Sequence, residues 1–582
     1  MCTTVIVGKK ASATGCVIVG HTEDAAGRVM YQQFVCPGGA RDPSQVLTGE
    51  PGAARIPQVD AVLTTYWSNC LDVHGSSFDQ AFINEAGVVI TSNGGGTSFD
   101  RTEGDPDELF SEGGIGFLLR RVVAERAKTA REAVELMGSL ISTYGYRGEA
   151  RNYTLADANE AWVLSVVYGR RWMAKRVPDD AVMVISNVLA LRQANWQARE
   201  AVLSSPDVIS YAIAKKYYRP AFDDYRDFDF ARVYQSDCNR YKPTKFNRLR
   251  LGWKVLTGRD YNDPLAMPEM LSIDECAFDR ISVELVQSIL RQTSVETYRE
   301  RGDGGADAFH HDAWDIAWLH TREAWVMEFN PYTAFNALWR TSASPEVSPF
   351  TPWFPCITEV PKSYQWTSLE EARQHLFHVP SRWLDVSRDK AYSLFSELSE
   401  IVNFNRGLLA GIRIERDGFE NRFRAHFQTI KQCYEPYERQ EIEGVLSQWS
   451  NRCLGEVEAH YRVMLEALTP FAMKVEPSKP SKDQTEELTV RLNFAHSPRF
   501  AENLRSETLR LSFGYETARG AVKEAEAPFD LTIDYEAREM VLRFKAQSIL
   551  KHGLVGAKQC IYLRGYANFK RFVAVGEVDL EP

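Results

Sequence analysis

The 582-residue chain contains no run of about 18 consecutive apolar residues, so no membrane-spanning helix is expected. Its first residues lack the basic start and long apolar stretch of a secretory signal. Export is therefore not expected, and the cytoplasm is the expected compartment. Basic residues are not in excess: a formal net charge of −10 removes the electrostatic footprint of a general nucleic-acid binder. Cys-x-x-Cys pairs and Cys/His clusters of the zinc-finger kind are missing, and the ten cysteines stand at wide, irregular spacings. Residues such as Cys276 and Cys453 read as small core side chains in a reducing compartment rather than as disulfides or ligands. Gly-x-Gly-x-x-Gly, Walker and His-Glu-x-x-His patterns are also missing, so no cofactor and no metal are expected. His310-His311-Asp312 has no third ligand at a readable spacing and reads as a surface loop. The acidic run 100–108 lacks EF-hand spacing and reads as solvated.

What is present is a globular composition, 44% hydrophobic and 25% charged, in a chain long enough to bury a sizeable core and form several domains. Up to about residue 190, strand-like and helix-like segments come in the order strands, helices, strands. "FDQAFINEAGVVITSNGGG" reads as two strands joined by the Asn84–Gly87 turn. Ile115, Leu118, Leu119 and Val122 recur at helical spacing, and Thr129 with Glu132 stand in capping-box positions ahead of a second helix. "ARNYTLAD" and "AWVLSVVYG" return to strands. That order predicts a layered α+β fold with antiparallel neighbours. "SPFTPWFPC" reads as a packed loop. Residues 366–470 read as long helices with charged outer faces, and "VEPSKPSKDQTEE" as a linker. Beyond it Leu488/Val490/Leu492/Phe494, Phe529/Leu531/Ile533/Tyr535 and Met540/Leu542/Phe544 alternate with mostly polar residues, predicting a separate β-sandwich. The expected divisions are a core over 2–345, a helical portion over 346–470, a linker over 471–487 and a C-terminal β domain over 488–582.

The chemistry centres on a cysteine at position 2, directly ahead of the apolar run 3–7. That run and 16–19 flank a Lys/Ser/Thr/Gly-rich turn, the pattern of a β-hairpin. If Met1 is removed, which a small second residue permits, Cys2 carries a thiol and a free α-amine on one carbon. An α-amine titrates at about 7.7–8.0 and a cysteine at about 8.5, so the proton passes between them at little cost near neutral pH. Nucleophile and general base then reside in one residue. The alternative is a frayed terminal residue. With the turn centred near Ser12, antiparallel pairing sets Thr3 opposite His21 and Cys2 opposite Thr22. The polar run His21-Thr22-Glu23-Asp24 is thereby delivered beside the cysteine. Asp24 is the preferred carboxylate to hold the α-ammonium or the substrate, and His21 is placed to hydrogen-bond the thiol or to end the strand in solvent.

"CTTVIVGKKASATG" followed by "HTED", then "INEAGVVITSNGG", "NEAWVL…YGRRWMAKRVPDD" and "ISNVLALR", resembles the dipeptidase A family of N-terminal-nucleophile cysteine peptidases, from Cys2 to about residue 470. Penicillin V acylases and bile-salt hydrolases are similar at greater distance. The resemblance implies an αββα sandwich with the nucleophile at the start of a central strand. It also implies site roles for Asp24, for Asn93 in "TSNGG" and Asn187 in "ISNVL" as neutral donors to the oxyanion, and for Arg248 in "KFNRLR" as a cationic one, with Arg250 as its rival. The chain departs from the family pattern at His21, where arginine is usual. It departs again in the turn Ala13-Thr14-Gly15-Cys16, which usually carries an aspartate and a serine, and at Ser165, where an acid is common. The β domain lies outside the resemblance.

The expectation is a cofactor-independent amide hydrolase acting on dipeptides or short peptides. It needs no nucleic-acid or membrane partner, and a homo-oligomer is possible. Two alternatives stand beside it: an N-acyl amide hydrolase of the same mechanism, and a catalytically silent scaffold whose β domain binds a partner.

Overall fold

The computed structural model describes residues 2–581 apart from 26–27, 73–76, 96–109, 111–112, 236–242, 264–265, 294–314, 319, 356, 435–437, 498, 515–524 and 569. The acidic run 100–108 and His310-His311-Asp312 lie outside the described residues.

The opening hairpin forms from β1 (Cys2–Val7) and β2 (Ile18–Asp24), both buried along their whole length. The β-branched Thr, Val and Ile of β1 suit a strand covered on both faces. After β3 (Val29–Cys36) come β4 (Thr65–Asp72), β5 (Ser77–Asn84) and β6 (Val89–Gly94). The turn between β5 and β6 falls where the sequence places it, and Gly87 there takes a φ of 85°, open to glycine at little cost. Helices α1 (Leu118–Arg126) and α2 (Ala130–Tyr144) follow, the second capped by the Thr129 hydroxyl accepting from the Glu132 N–H at 3.1 Å. The reciprocal Glu132 carboxylate accepts from Lys128 N–H rather than from Thr129 N–H.

Strands β7 (Arg151–Ala156), β8 (Ala161–Val166), β9 (Trp172–Arg176), β10 (Ala181–Ile185) and β11 (Val202–Ser204) come next. They are followed by α3 (Pro243–Thr257), the short β12 (Leu271–Ser272) and α4 (Val283–Leu290). Strands β13 (Thr321–Glu328), β14 (Ala337–Ser342) and β15 (Thr351–Trp353) complete the sheets, so the Pro- and aromatic-rich loop holds a short buried strand.

The first sheet runs β12-β10-β1-β2-β13-β14-β15, the second β11-β9-β8-β7-β6-β5-β4-β3, with antiparallel neighbours throughout. They stack face to face, joined by side-chain bonds such as Thr4 to Asn93 and Ser68 to Glu323. Helices α1 and α2 cover the outer face of the second sheet through a core containing Val122, Met137 and Ile141. Helices α3 and α4 cover the first. Contact there is so close that a Cβ built on Gly20 of β2 would stand 2.4 Å from Val286 Cγ1 of α4. The αββα order implied by the resemblance is the order observed.

Three long helices, α5 (Ala391–Phe404), α6 (Leu409–Tyr434) and α7 (Arg439–Leu468), pack on this body. The segment read as a linker contributes β16 (Ala472–Glu476), which pairs with β17 (Glu487–Asn493). With β18 (Arg505–Phe513), β19 (Asp530–Asp534), β20 (Glu539–Lys545), β21 (Lys558–Ala567) and β22 (Lys570–Asp579), it builds two sheets, β16-β17-β20-β19 and β18-β21-β22. Their shared core includes Leu488, Leu542, Phe544 and Leu563. Phe529 and Tyr535, at the ends of edge strand β19, are exposed instead.

Among the described residues no helix is long and apolar enough to cross a membrane.

Candidate active site

Cys2 begins β1 at the centre of the first sheet, and its partner across the hairpin is Glu23. Thr3 stands opposite Thr22, and Thr4 opposite His21. The sequence reading placed each pair one residue off. Val7 pairs with Ile18, so the connection 8–17 has an even number of residues and its midpoint falls between Ser12 and Ala13, not on Ser12. A slip of one residue exchanges the faces of every side chain. Cys2, Thr4, His21 and Glu23 therefore share the face turned to the second sheet, while Asp24 belongs to the other.

On the shared face the thiol donates to Glu23, with Sγ 3.2 Å from Oε2. His21 Nε2 lies 2.9 Å from Glu23 Oε1, and its Nδ1 lies 2.7 Å from Thr4 Oγ1. Thr4 in turn donates to Asn93 Oδ1 at 2.7 Å. His21 lies within side-chain bonding reach of the thiol, and Glu23 bridges the two groups as well.

His21 and Glu23 are both deeply buried. Burial works against the charge on His21, but the Glu23 carboxylate and the Cys2 thiol outweigh it and push the imidazole up to about 9. Burial also works against the charge on Glu23, and the imidazolium outweighs it and holds the carboxyl below its usual range. A protonated ring has two N–H donors and no acceptor. The bonds then have a fixed direction: His21 donates to Glu23 and to Thr4, and Thr4 passes its own proton to Asn93 Oδ1. That orientation leaves Asn93 Nδ2 buried with no acceptor among the described residues.

At the backbone of Cys2, Asn187 Oδ1 accepts from Cys2 N at 2.8 Å and from Arg248 Nη2 at 2.7 Å. Asn187 Nδ2 is engaged with Gly94 O at 2.9 Å, so its oxygen, not its amide N–H, faces Cys2. Arg248, fully buried on α3, donates through Nη1 to Cys2 O at 2.8 Å and stands 3.7 Å from Asp24 Oδ2. Asp24 Oδ1 accepts from Thr321 Oγ1 at 2.8 Å. Burial pushes the Asp24 carboxyl up, and Arg248 partly offsets it. Asn187 and Arg248 thus grip the backbone of Cys2, and Asp24 steadies Arg248.

All six expected residues, Cys2, His21, Asp24, Asn93, Asn187 and Arg248, fall within one linked cluster. The rival Arg250 faces away, bonded to Asp260 at 2.5 and 2.7 Å. Ser165 donates to Asn152 Oδ1 at 2.7 Å, two strands from Asn93. Behind the site Glu323 pairs with Glu23 across β13 and β2, and its charge is met by Arg340 and by the Ser68 hydroxyl.

Donor atoms of Cys2, His21 and Glu23 lie within 4.8 Å of one another, a set that a thiophilic divalent ion fits. Metal binding there requires loss of both the thiol and imidazole protons, and the elevated imidazole sets that requirement against it.

A dipeptidase from Bifidobacterium longum is 31% identical over 228 residues, 36% of this chain and 42% of the relative, so the chain matches less than half of that relative's length. A probable dipeptidase from Salmonella dublin is 24% identical over 61% of this chain and 80% of its own. A probable dipeptidase B from Lactococcus lactis is 24% identical over 69% and 84%. Among solved structures, the penicillin V acylase from Agrobacterium tumefaciens is 12% identical, covering 59% of this chain and 83% of that one at a TM-score of 0.28, too loose to carry weight. The model of peptidase family C69 matches residues 1–404, from β1 through the end of α5, and the chain belongs to that family.

Proposed function

We propose that the protein hydrolyses dipeptides or short peptides in the cytoplasm, with Cys2 as nucleophile and its own α-amine, freed by removal of Met1, as the base. The observation that carries this reading is the placement of Cys2. Its nitrogen is held by Asn187, its carbonyl by Arg248 and its thiol by Glu23, at the start of a buried central strand. The dipeptidase names of the relatives support the substrate class.

In this reading the thiol proton passes to the α-amine and the sulfur attacks the scissile carbonyl carbon, forming the C–S bond. Negative charge builds on the carbonyl oxygen, and Asn93 Nδ2 donates to it. Collapse breaks the C–N bond, and the leaving amine takes the proton from the α-ammonium. Water, deprotonated by the same amine, then cleaves the thioester and restores the thiol. Glu23 and His21 orient the thiol, and Thr4 aims the Asn93 amide.

Replacing Cys2 by Ala abolishes dipeptide turnover and leaves the thermal midpoint close to that of the native chain. Undiminished turnover in that variant overturns the reading. Loss of one oxyanion donor typically costs about 10²–10³ in kcat, the fall expected for Asn93→Ala at an unchanged N-terminus.

A further inference from the structure

The two oxygens of Glu23 have separate partners. Oε1 accepts from His21 Nε2 at 2.9 Å, and Oε2 accepts from the Cys2 thiol at 3.2 Å. Among the described residues no second donor bonds Oε2. The first step of the reaction proposed above takes the thiol proton away. The sulfur then has His21 within bonding reach and, on its own residue, the ammonium it has made, whose nitrogen Asn187 holds at 2.8 Å. Oε2 gains nothing in exchange. A buried carboxylate oxygen that loses its donor is costly, and a cation that takes the place of the proton offsets that cost.

The other carboxylates nearby are already engaged. Asp24 accepts from Thr321 and stands by Arg248, and the charge of Glu323 is met by Arg340 and by the Ser68 hydroxyl. Glu23 is thus the acid turned to the nucleophile. Burial works against its charge, but the His21 imidazolium outweighs burial, so the carboxyl is ionised at neutral pH.

The distances fit one end of a peptide. In a dipeptide the amine nitrogen is two bonds from the scissile carbonyl carbon, about 2.5 Å across the N–Cα–C angle. An attacking sulfur stands about 3–3.5 Å from that carbon. With Oε2 3.2 Å from the same sulfur, an ammonium on the carbon's own residue closes the gap to Oε2 with a charge-assisted bond of about 2.7–2.9 Å. The terminal carboxylate of the peptide lies on the leaving side and carries the same sign as Glu23. One orientation alone pairs opposite charges here.

We infer that the Glu23 carboxylate takes the free α-ammonium of the substrate in place of the thiol proton, and so directs cleavage to the bond after an unblocked first residue. This rests on the peptide-hydrolase reading above and names its specificity residue. A substrate acylated on that nitrogen brings no cation to Oε2, which sets the site against N-acyl amides.

The test compares leucyl-leucine with 4-methylpentanoyl-leucine, the same peptide with hydrogen in place of the ammonium, at about pH 7, where a peptide amine is protonated. In the Cys2→Ala protein, which cannot turn either over, Oε2 is open to the ammonium. That protein should bind leucyl-leucine about 10²-fold more tightly than its analogue, the scale of losing one partner of a desolvated charge pair. Adding Glu23→Gln should weaken leucyl-leucine to the level of the analogue and leave the analogue nearly unchanged, a split that a merely structural role would not give. Glu23→Asp, which keeps the charge on a shorter arm, should lie between. An ammonium preference in binding that Glu23→Gln removes upholds the inference even if the native chain cleaves neither peptide. Comparable kcat/KM for both peptides in the native chain overturns it while leaving the hydrolase reading intact. Equal affinities in the Cys2→Ala protein, absence of binding included, also overturn it, as does a preference that persists, or an equal loss of both peptides, in a Glu23→Gln variant with native thermal midpoint.

Discussion

His21 is the residue on which the site's charge turns. Its imidazole titrates at about 9 in the fold against an ordinary 6.5. A raised folded value stabilises the protein fully below pH 6.5, and that stability is lost as pH rises through about 9. The thermal midpoint should therefore fall across this window, and fall less in His21→Gln. Activity should show an alkaline limb in the same window, because a neutral ring no longer donates at both nitrogens. His21→Arg keeps a cation at every pH and should flatten that limb; an unchanged limb means another group causes it. Thr4 has a narrower task. Thr4→Val leaves Asn93 Oδ1 and one His21 N–H unpaired in a buried site, costing about 1–3 kcal/mol of stability. It should lower kcat more than it raises KM, which steady-state kinetics on a dipeptide would read. Cys2, Asp24 and Asn93 were legible in the sequence through the hairpin and the family resemblance. Glu23 was not, because its role depends on a register that the turn's length sets and its composition does not reveal.

At the scale of elements, the hairpin carries both Cys2 and the Glu23 carboxylate that bonds its thiol, so its seating on α4 governs the site. Gly20 lies one residue from His21, and Val286 leaves no room for a Cβ there. Gly20→Ala should push α4 outward, with an overpacking cost of about 1–3 kcal/mol. Differential scanning calorimetry should record the lower midpoint, and hydrogen exchange should show it first along β2. Strand and helix order were read correctly along the first 190 residues because apolar periodicity there is uninterrupted and the turns carry their own residues, Asn84 to Gly87 and Thr129 among them. The segment 471–487 was misjudged in part. Its Pro, Ser and Lys content describes the stretch after residue 476, whereas Ala472–Glu476 gains its pairing from a strand further on.

Across the whole molecule, the C-terminal sheets are not a loosely tethered attachment. Val386 N–H donates to Lys558 O at 3.0 Å, and Lys558 N–H to Asp385 Oδ1 at 2.8 Å. Tyr562 packs on Phe404 with ring centroids 5.4 Å apart, and Arg564 lies over the same ring. Cys560, Tyr562 and Val573 belong to the same apolar cluster as α5, a helix buried over 13 of its 14 residues. Removing everything beyond residue 470 should therefore lower the thermal midpoint and expose α5 to proteolysis, rather than alter kcat per folded molecule. Periodicity in the sequence sufficed to find these sheets but not their docking, since contacts between distant segments leave no local trace.

The central claim concerns one atom, the sulfur of Cys2, and intact-mass and peptide mass spectrometry of the enzyme quenched during dipeptide turnover tests it most directly. The account predicts an N-terminal peptide that begins at Cys2, without Met1, and carries the acyl group as a hydroxylamine-labile thioester. Full activity in a chain that retains Met1, or an acyl group on any other residue, would contradict it.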